Sequence, residues 1–333
     1  MNKYIVIAFI FLASCKKNND VNTGGSSTID TSNTSTGQFY EYNILPSTTN
    51  SFITSSNSAH EVCLDTRTAL KNKLFVFLPG TTGFPATYKL IVKQAASQGY
   101  HAIGLMYPNG PAIYTASNND STNTQFEKCR QEIFDGTDQT SGVDVDANNC
   151  INNRLYKLLL YLQSTYPAQN WSQYTSNGQI VWSKVVIAGH SQGGGHAFFI
   201  AKKIAVDKTI SFSSIDWNSA LNRSAAWVSQ VGATPISKFY SFNGTNDEIF
   251  NYTNVQTQLA DMGITGNSVS IDNNTSPYSS THRLTTSATA ALSIAPFPNH
   301  NLTCLDMSVP KTSLTSGIPI TTFVNAWNYL LNN

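Results

Sequence analysis

Gly189-His190-Ser191-Gln192-Gly193 is the stretch of this 333-residue chain whose residue types point most directly to covalent chemistry. A serine hydroxyl is a weak nucleophile unless a positioned base removes its proton and nearby donors receive the negative charge that develops on the substrate. A serine flanked by glycines at a sharp strand-to-helix turn meets the geometric part of that need. Side chains two residues before and two after the serine would collide, which accounts for glycine at 189 and 193, and the turn lifts the hydroxyl over the positive end of the following helix. The base must be recruited from elsewhere among the six histidines, His60, His101, His190, His196, His282 and His300. No pair of cysteines has C-x-x-C spacing, and neither a metal-ligand cluster nor a glycine-rich phosphate loop is present, so no metal or other cofactor is expected.

Such a serine needs a strand leading into it and a helix leading away. Val185-Val186-Ile187-Ala188 supplies the first, within a strand predicted from Lys184 to Ala188, and 193–205 carries helical spacing. The same rhythm extends along the chain. Leu74-Phe75-Val76-Phe77-Leu78 is a continuous apolar run ended by Pro79-Gly80, as in a strand buried on both faces. A helix is predicted over 87–98, a strand over 101–106, and a helix over 146–163 with Ile151, Leu155, Leu158, Leu159 and Leu162 on one face. Further strands are predicted at 210–214, 239–242 and 269–271, and a last helix at 321–331. Strands alternating with helices imply an α/β fold, a mostly parallel sheet with helices on both faces.

The elbow pentapeptide in this setting resembles the α/β-hydrolase superfamily in its esterase and lipase branch, and the resemblance covers nearly all of 70–331. It implies an α/β-hydrolase fold and a triad in the chain order nucleophile, acid, histidine. Ser191 is then the nucleophile. Asp247, following the strand and the Gly244 turn, matches the position of the acid, with Asp216 as the alternative. Of the two histidines beyond Asp247, His300 precedes the terminal helix as the histidine of the family does, and is preferred to His282. His190 and His196 belong to the elbow and its helix, where the family places no general base. The resemblance further implies an oxyanion hole made by the amide of Gln192 and one from Pro79-Gly80-Thr81-Thr82-Gly83, with Thr81 favoured over Thr82; Pro79 stands where many members carry histidine. The implied substrate is a carboxylic ester, of a lipid or a small molecule. Amide and thioester hydrolysis use the same machinery, and a non-catalytic binding protein on the same fold is the alternative of a different class.

The charge balance, 20 Lys+Arg against 19 Asp+Glu, lacks the basic excess that nucleic-acid binding requires, and at 41% hydrophobic and 11% aromatic residues the chain is not a disordered polar polymer. Its start reads as an export signal. Met1-Asn2-Lys3 precedes an apolar run over 4–13 about half the length of a membrane span, and Leu12-Ala13-Ser14-Cys15 resembles the lipobox of bacterial lipoproteins. That resemblance implies removal of residues 1–14, lipidation of Cys15, and attachment of an exported protein to a membrane of the cell envelope through acyl chains. Residues 16–38, rich in Ser, Thr, Asn and Gly, read as a flexible tether with a reach of roughly 25 Å. A single catalytic domain over 39–333 follows, and nothing in its sequence fixes an oligomeric state. Cys63, Cys129, Cys150 and Cys304 form an even set in an exported chain, so two disulfides are expected, Cys129 with Cys150 and Cys63 with Cys304. The long polar stretch 107–142 is expected to shape the rim of the site, and 217–234, with Trp217, Trp227 and Val228, to form a small lid.

Overall fold

The computed structural model describes residues 37–290, 296–313 and 317–333. The export segment, Cys15 and the tether through Thr36 lie outside the described residues. From Gly37 onward a nine-stranded sheet organises the chain. Its strands are β1 (Phe39–Ile44), β2 (His60–Asp65), β3 (Leu74–Leu78), β4 (His101–Gly104), β5 (Val185–His190), β6 (Lys208–Phe212), β7 (Phe239–Gly244), β8 (Val269–Ser270) and β9 (Arg283–Thr286). They lie in the order β1-β2-β4-β3-β5-β6-β7-β9-β8. All neighbours from β4 to β8 run parallel, while β2 pairs antiparallel with both β1 and β4. This is the mostly parallel sheet of an α/β-hydrolase fold.

The pleat of β3 sorts the core. Leu74, Val76 and Leu78 point to one face and Phe75 and Phe77 to the other, each into its own hydrophobic cluster. The first cluster is closed by α2 (Gln125–Asp135), α3 (Ile151–Thr165), α4 (Gln192–Lys203) and α5 (Tyr252–Asp261), and the second by α1 (Lys89–Ser97) and α7 (Thr321–Asn332). A parallel sheet buried on both faces leaves its loops at the carboxyl ends of the strands free to build a site.

β1 and β2 escape the apolar-run criterion. In β2 every residue of His60-Glu61-Val62-Cys63-Leu64-Asp65 is buried although three are polar, because the buried Glu61 meets the Lys89 ammonium at 3.1 Å and His60 Nδ1 accepts the Met106 amide. α3 begins at Ile151, not 146, because the Asp146 carboxylate accepts the amides of Asn148 and Asn149 in a turn before the helix, and Cys150 caps it through Sγ.

Two expectations are corrected. Cys63, Cys129, Cys150 and Cys304 are all free, buried thiols with separate partners. Cys150 Sγ caps α3, Cys129 Sγ accepts from Ser117, Cys304 Sγ accepts from Thr303, and Cys63 Sγ lies 3.7 Å from Glu61 Oε1. Burial pushes all four thiols up, so they behave as small apolar side chains. Nor is 217–234 a lid. Trp217, Trp227 and Val228 are buried in the core, with the Trp227 ring edge-on to Phe199 at 5.4 Å and its Nε1 donating to Asp216.

Candidate active site

Register sets the first distance. Leu78, the last residue of β3, pairs with Gly189 of β5, so the loop after β3 emerges beside the turn after β5. Ser191 sits at that turn with φ 52° and ψ −120°, a left-handed backbone that a serine adopts only under constraint. Its amide donates to Phe212 O at 2.9 Å, and α4 starts at the next residue. Both flanking glycines are required: a Cβ on Gly189 would lie 2.3 Å from Gly193 C, and one on Gly193 would lie 2.0 Å from Leu78 O.

Asp247 lies just beyond β7. Its Oδ1 accepts the amides of Ile249 and Phe250 at 2.8 and 2.9 Å, which aims Oδ2 at His300 Nδ1, 2.8 Å away. Both side chains are only 4% exposed. A carboxylate only accepts, so Nδ1 carries the proton and Nε2 keeps its lone pair. His300 belongs to the short helix α6 (Pro298–Asn301), whose first turn is held by Glu248: its carboxylate accepts the amides of Asn299 and His300 at 3.0 and 2.7 Å. Ser191 and His300 line one cavity of about 380 Å³, together with Thr81, Tyr114, Phe250 and Phe297 among others. Neither Ser191 Oγ nor His300 Nε2 has a hydrogen-bond partner among the described residues. Ser191 and the aspartate-bound His300 thus face one cavity at the carboxyl end of the sheet.

The alternatives lie elsewhere. His282 stacks on Tyr240 at 4.2 Å and its Nδ1 lies 2.9 Å from the carbonyl of Phe239, at the opposite end of β7 from Asp247. Asp216 forms a buried bidentate pair with Arg130 at 2.5 and 2.6 Å, and Arg130 also donates to Gln192 O, bracing the start of α4. His196 is buried inside α4, with no partner for either ring nitrogen among the described residues.

The loop 79–83 folds around a residue that pattern reading missed. Asn109, buried after β4, donates from Nδ2 to Gly80 O and Gly83 O at 2.8 Å each, and its carbonyl accepts the amide of Thr82 at 3.2 Å. Thr81 Oγ1 donates to Gln192 Oε1 at 3.0 Å, joining the loop to the elbow. The amides of Thr81 and Gln192 have no acceptor among the described residues, whereas that of Thr82 is committed to Asn109.

His190 ties the parts together. Its Nε2 faces His300 O at 3.1 Å and must donate, so Nδ1 accepts the Tyr88 hydroxyl at 3.0 Å, and that oxygen in turn accepts the Gly80 amide at 3.3 Å. Burial, reinforced by the nearby His300, holds His190 down at about 3, so the chain of bonds keeps one direction at neutral pH. None of these supports carries a sequence signal of its own: Asn109 and Glu248 hold backbone atoms of segments 26 or more residues away, and Tyr88 meets the distant His190 ring. The stretch 107–142 contributes Ala112 and Tyr114 to the cavity wall. Among the described residues no group of three or more His, Cys, Asp or Glu side chains could hold a metal ion.

Strand order and elbow together define an α/β-hydrolase fold carrying a serine and an aspartate-bound histidine at one cavity, with the free amides of Thr81 on its wall and of Gln192 next to Ser191. No protein-family model matches the chain, and no curated protein matches it in sequence. Among solved structures it is similar to a protein of Klebsiella pneumoniae subsp. pneumoniae MGH 78578 provisionally described as a dienelactone hydrolase, at 10% identity and TM-score 0.38 over 74% of this chain and 84% of that one. It is likewise similar to TT1662 from Thermus thermophilus, at 11% identity and TM-score 0.38 over 75% and 87%. The chain's own strand order and turn geometry, and not these likenesses, define the fold.

Proposed function

We propose that the chain is a serine hydrolase that cleaves carboxylic esters through an acyl-enzyme. The observation that carries this reading is the 2.8 Å bond from Asp247 to His300 Nδ1 at a cavity shared with a strained Ser191. His300 Nε2 takes the proton of the Ser191 hydroxyl as Oγ attacks the ester carbonyl, and Asp247 stabilises the imidazolium that forms. The amides of Thr81 and Gln192 receive the oxyanion. Collapse breaks the bond to the alcohol, which leaves with the proton from His300, and water then repeats the sequence to release the acid and free Ser191.

The lipoprotein reading of the N-terminus belongs to the same proposal. Lipidation of Cys15 would hold the enzyme on an envelope membrane, and removal of 1–14 leaves 19 basic against 19 acidic residues, so the acyl chains and not charge would supply the attachment. Mass spectrometry of the mature N-terminus tests it; an unmodified Cys15 in membrane-extracted protein contradicts it. For the catalytic reading, turnover of short- against long-chain p-nitrophenyl esters, with Ser191→Ala as control, is the direct assay. Turnover that vanishes in the variant is expected. An enzyme inactive on every ester yet active on amides or thioesters would move the assignment to those bonds, and none at all would favour a binding protein.

A further inference from the structure

We infer, resting on the serine-hydrolase reading, that the site takes uncharged esters whose flanking group is compact and aromatic, and rejects esters that carry a charge next to the carbonyl. The cavity at Ser191 is lined, among the described residues, by no lysine, arginine, aspartate or glutamate. Most of its polar side chains are already engaged with the protein, the exposed Thr82 hydroxyl at the rim excepted. The Tyr88 hydroxyl lies between Gly80 and His190, the Tyr114 hydroxyl is 3.0 Å from Ser219 Oγ, and Asn301 Nδ2 donates to the carbonyls of Pro296 and Phe297. Besides that hydroxyl, what stays free among the described residues is Ser191 Oγ, His300 Nε2 and the Thr81 and Gln192 amides, the groups that an ester carbonyl itself engages. A carboxylate or ammonium on the substrate would lose water and gain no charged partner, which is costly in a largely apolar site.

The remaining wall is aromatic. Phe250 stands edge-on to His300, with ring centroids 5.1 Å apart at 77°, and edge-on to Tyr114 at 6.3 Å and 64°. Phe297 and Ile249, 51% and 41% exposed, extend the apolar surface to the mouth. A flat ring entering there has the aromatic side chains of Phe250 and Tyr114 to pack against, and aromatic pairs gain beyond the area they bury. The volume, about 380 Å³, exceeds the ~150 Å³ that suffices to hold benzene, so a ring together with its ester group fits.

The test compares p-nitrophenyl benzoate, its analogue with a carboxylate on the benzoyl ring, and p-nitrophenyl acetate, on wild type and on Ile249→Lys, with fluorophosphonate labelling of the same preparations. Wild type is expected to favour the neutral benzoate over the carboxylate analogue by about 100-fold or more in kcat/KM, and over the acetate by about 10-fold. Ile249→Lys, which puts a cation at an exposed position of the mouth, should raise the carboxylate analogue relative to the neutral one by about 10-fold. Labelled wild-type enzyme that turns over the charged and neutral benzoates equally, or prefers the acetate, overturns the substrate assignment alone. Enzyme with neither labelling nor ester turnover overturns the serine-hydrolase reading and this assignment with it.

Discussion

Asp247 is the residue on which the electronics of the site turn. Its two oxygens do different work, one fixed by the amides of Ile249 and Phe250, the other holding His300 in the tautomer that leaves Nε2 basic. Replacing it by asparagine keeps the shape but allows an amide N–H to face Nδ1, which favours the wrong tautomer. Asp247→Asn should therefore lower kcat by about 10⁴ with little change in unfolding midpoint; a loss under tenfold, measured with the same ester, would remove Asp247 from this role. The residues legible in the sequence are those whose chemistry is rare and ordered along the chain: a serine between glycines after an apolar run, then an acid, then a histidine. Asn109, Glu248 and Tyr88 were not legible, because each acts on groups far away in sequence, the first two on backbone and Tyr88 on the His190 ring, and residues that do so look like any other of their type.

At the scale of elements the same limit applies to helix ends. α1 has no capping side chain of its own, and the Asp306 carboxylate, 217 residues away from Lys89, accepts the amides of Lys89 and Leu90 at 2.9 and 3.1 Å. Sequence spacing alone starts this helix at 87, two residues early, since the cap that fixes its start is not local. Asp306→Ala should cost about 1–2 kcal/mol of stability by urea unfolding, and Asp306→Asn, whose single side-chain oxygen still accepts one of the two amides, less; equal losses in both would show that the cap is not the cause. The central strands were readable because burial on both faces makes them uniformly apolar. β2 and β9 were not, because their polar residues are buried through partners supplied by other elements, as the carbonyls of Gly266 and Gln256 supply Arg283; β1, at the edge of the sheet, was not, because its residues before Ile44 are only half-buried or exposed.

Across the whole molecule, several histidines are buried in the neutral form. Burial lowers His60 and His190 to about 3 and holds His196 well below its usual range. In the unfolded chain these groups take up protons near 6.5, so the unfolded state binds three protons that the fold refuses as pH falls. Their contribution is present above pH 6.5 and is lost towards 3. Asp306, pushed up to about 7 by burial, acts the other way, taking up one proton in the fold between about 7 and 4. His101, also lowered by burial, adds to the histidines' side, and Glu61, raised by burial, to that of Asp306, while the carboxyl of Glu41 is held down at about 2; the net direction is loss of stability as pH falls from about 6.5. Urea midpoints should therefore fall from pH 7 to pH 5; a flat or rising profile would mean that these histidines are charged in the fold. Neutral composition excluded nucleic acid at the outset, but it could not foretell that uncharged groups would also line the site, since that depends on which loops meet above the sheet.

The central claim is that Ser191 is the nucleophile, activated by His300. Intact-mass analysis after treatment with a fluorophosphonate tests it most directly: wild type should gain one adduct and Ser191→Ala none. An unlabelled wild type, or a Ser191→Ala variant labelled as fully as wild type, would contradict it.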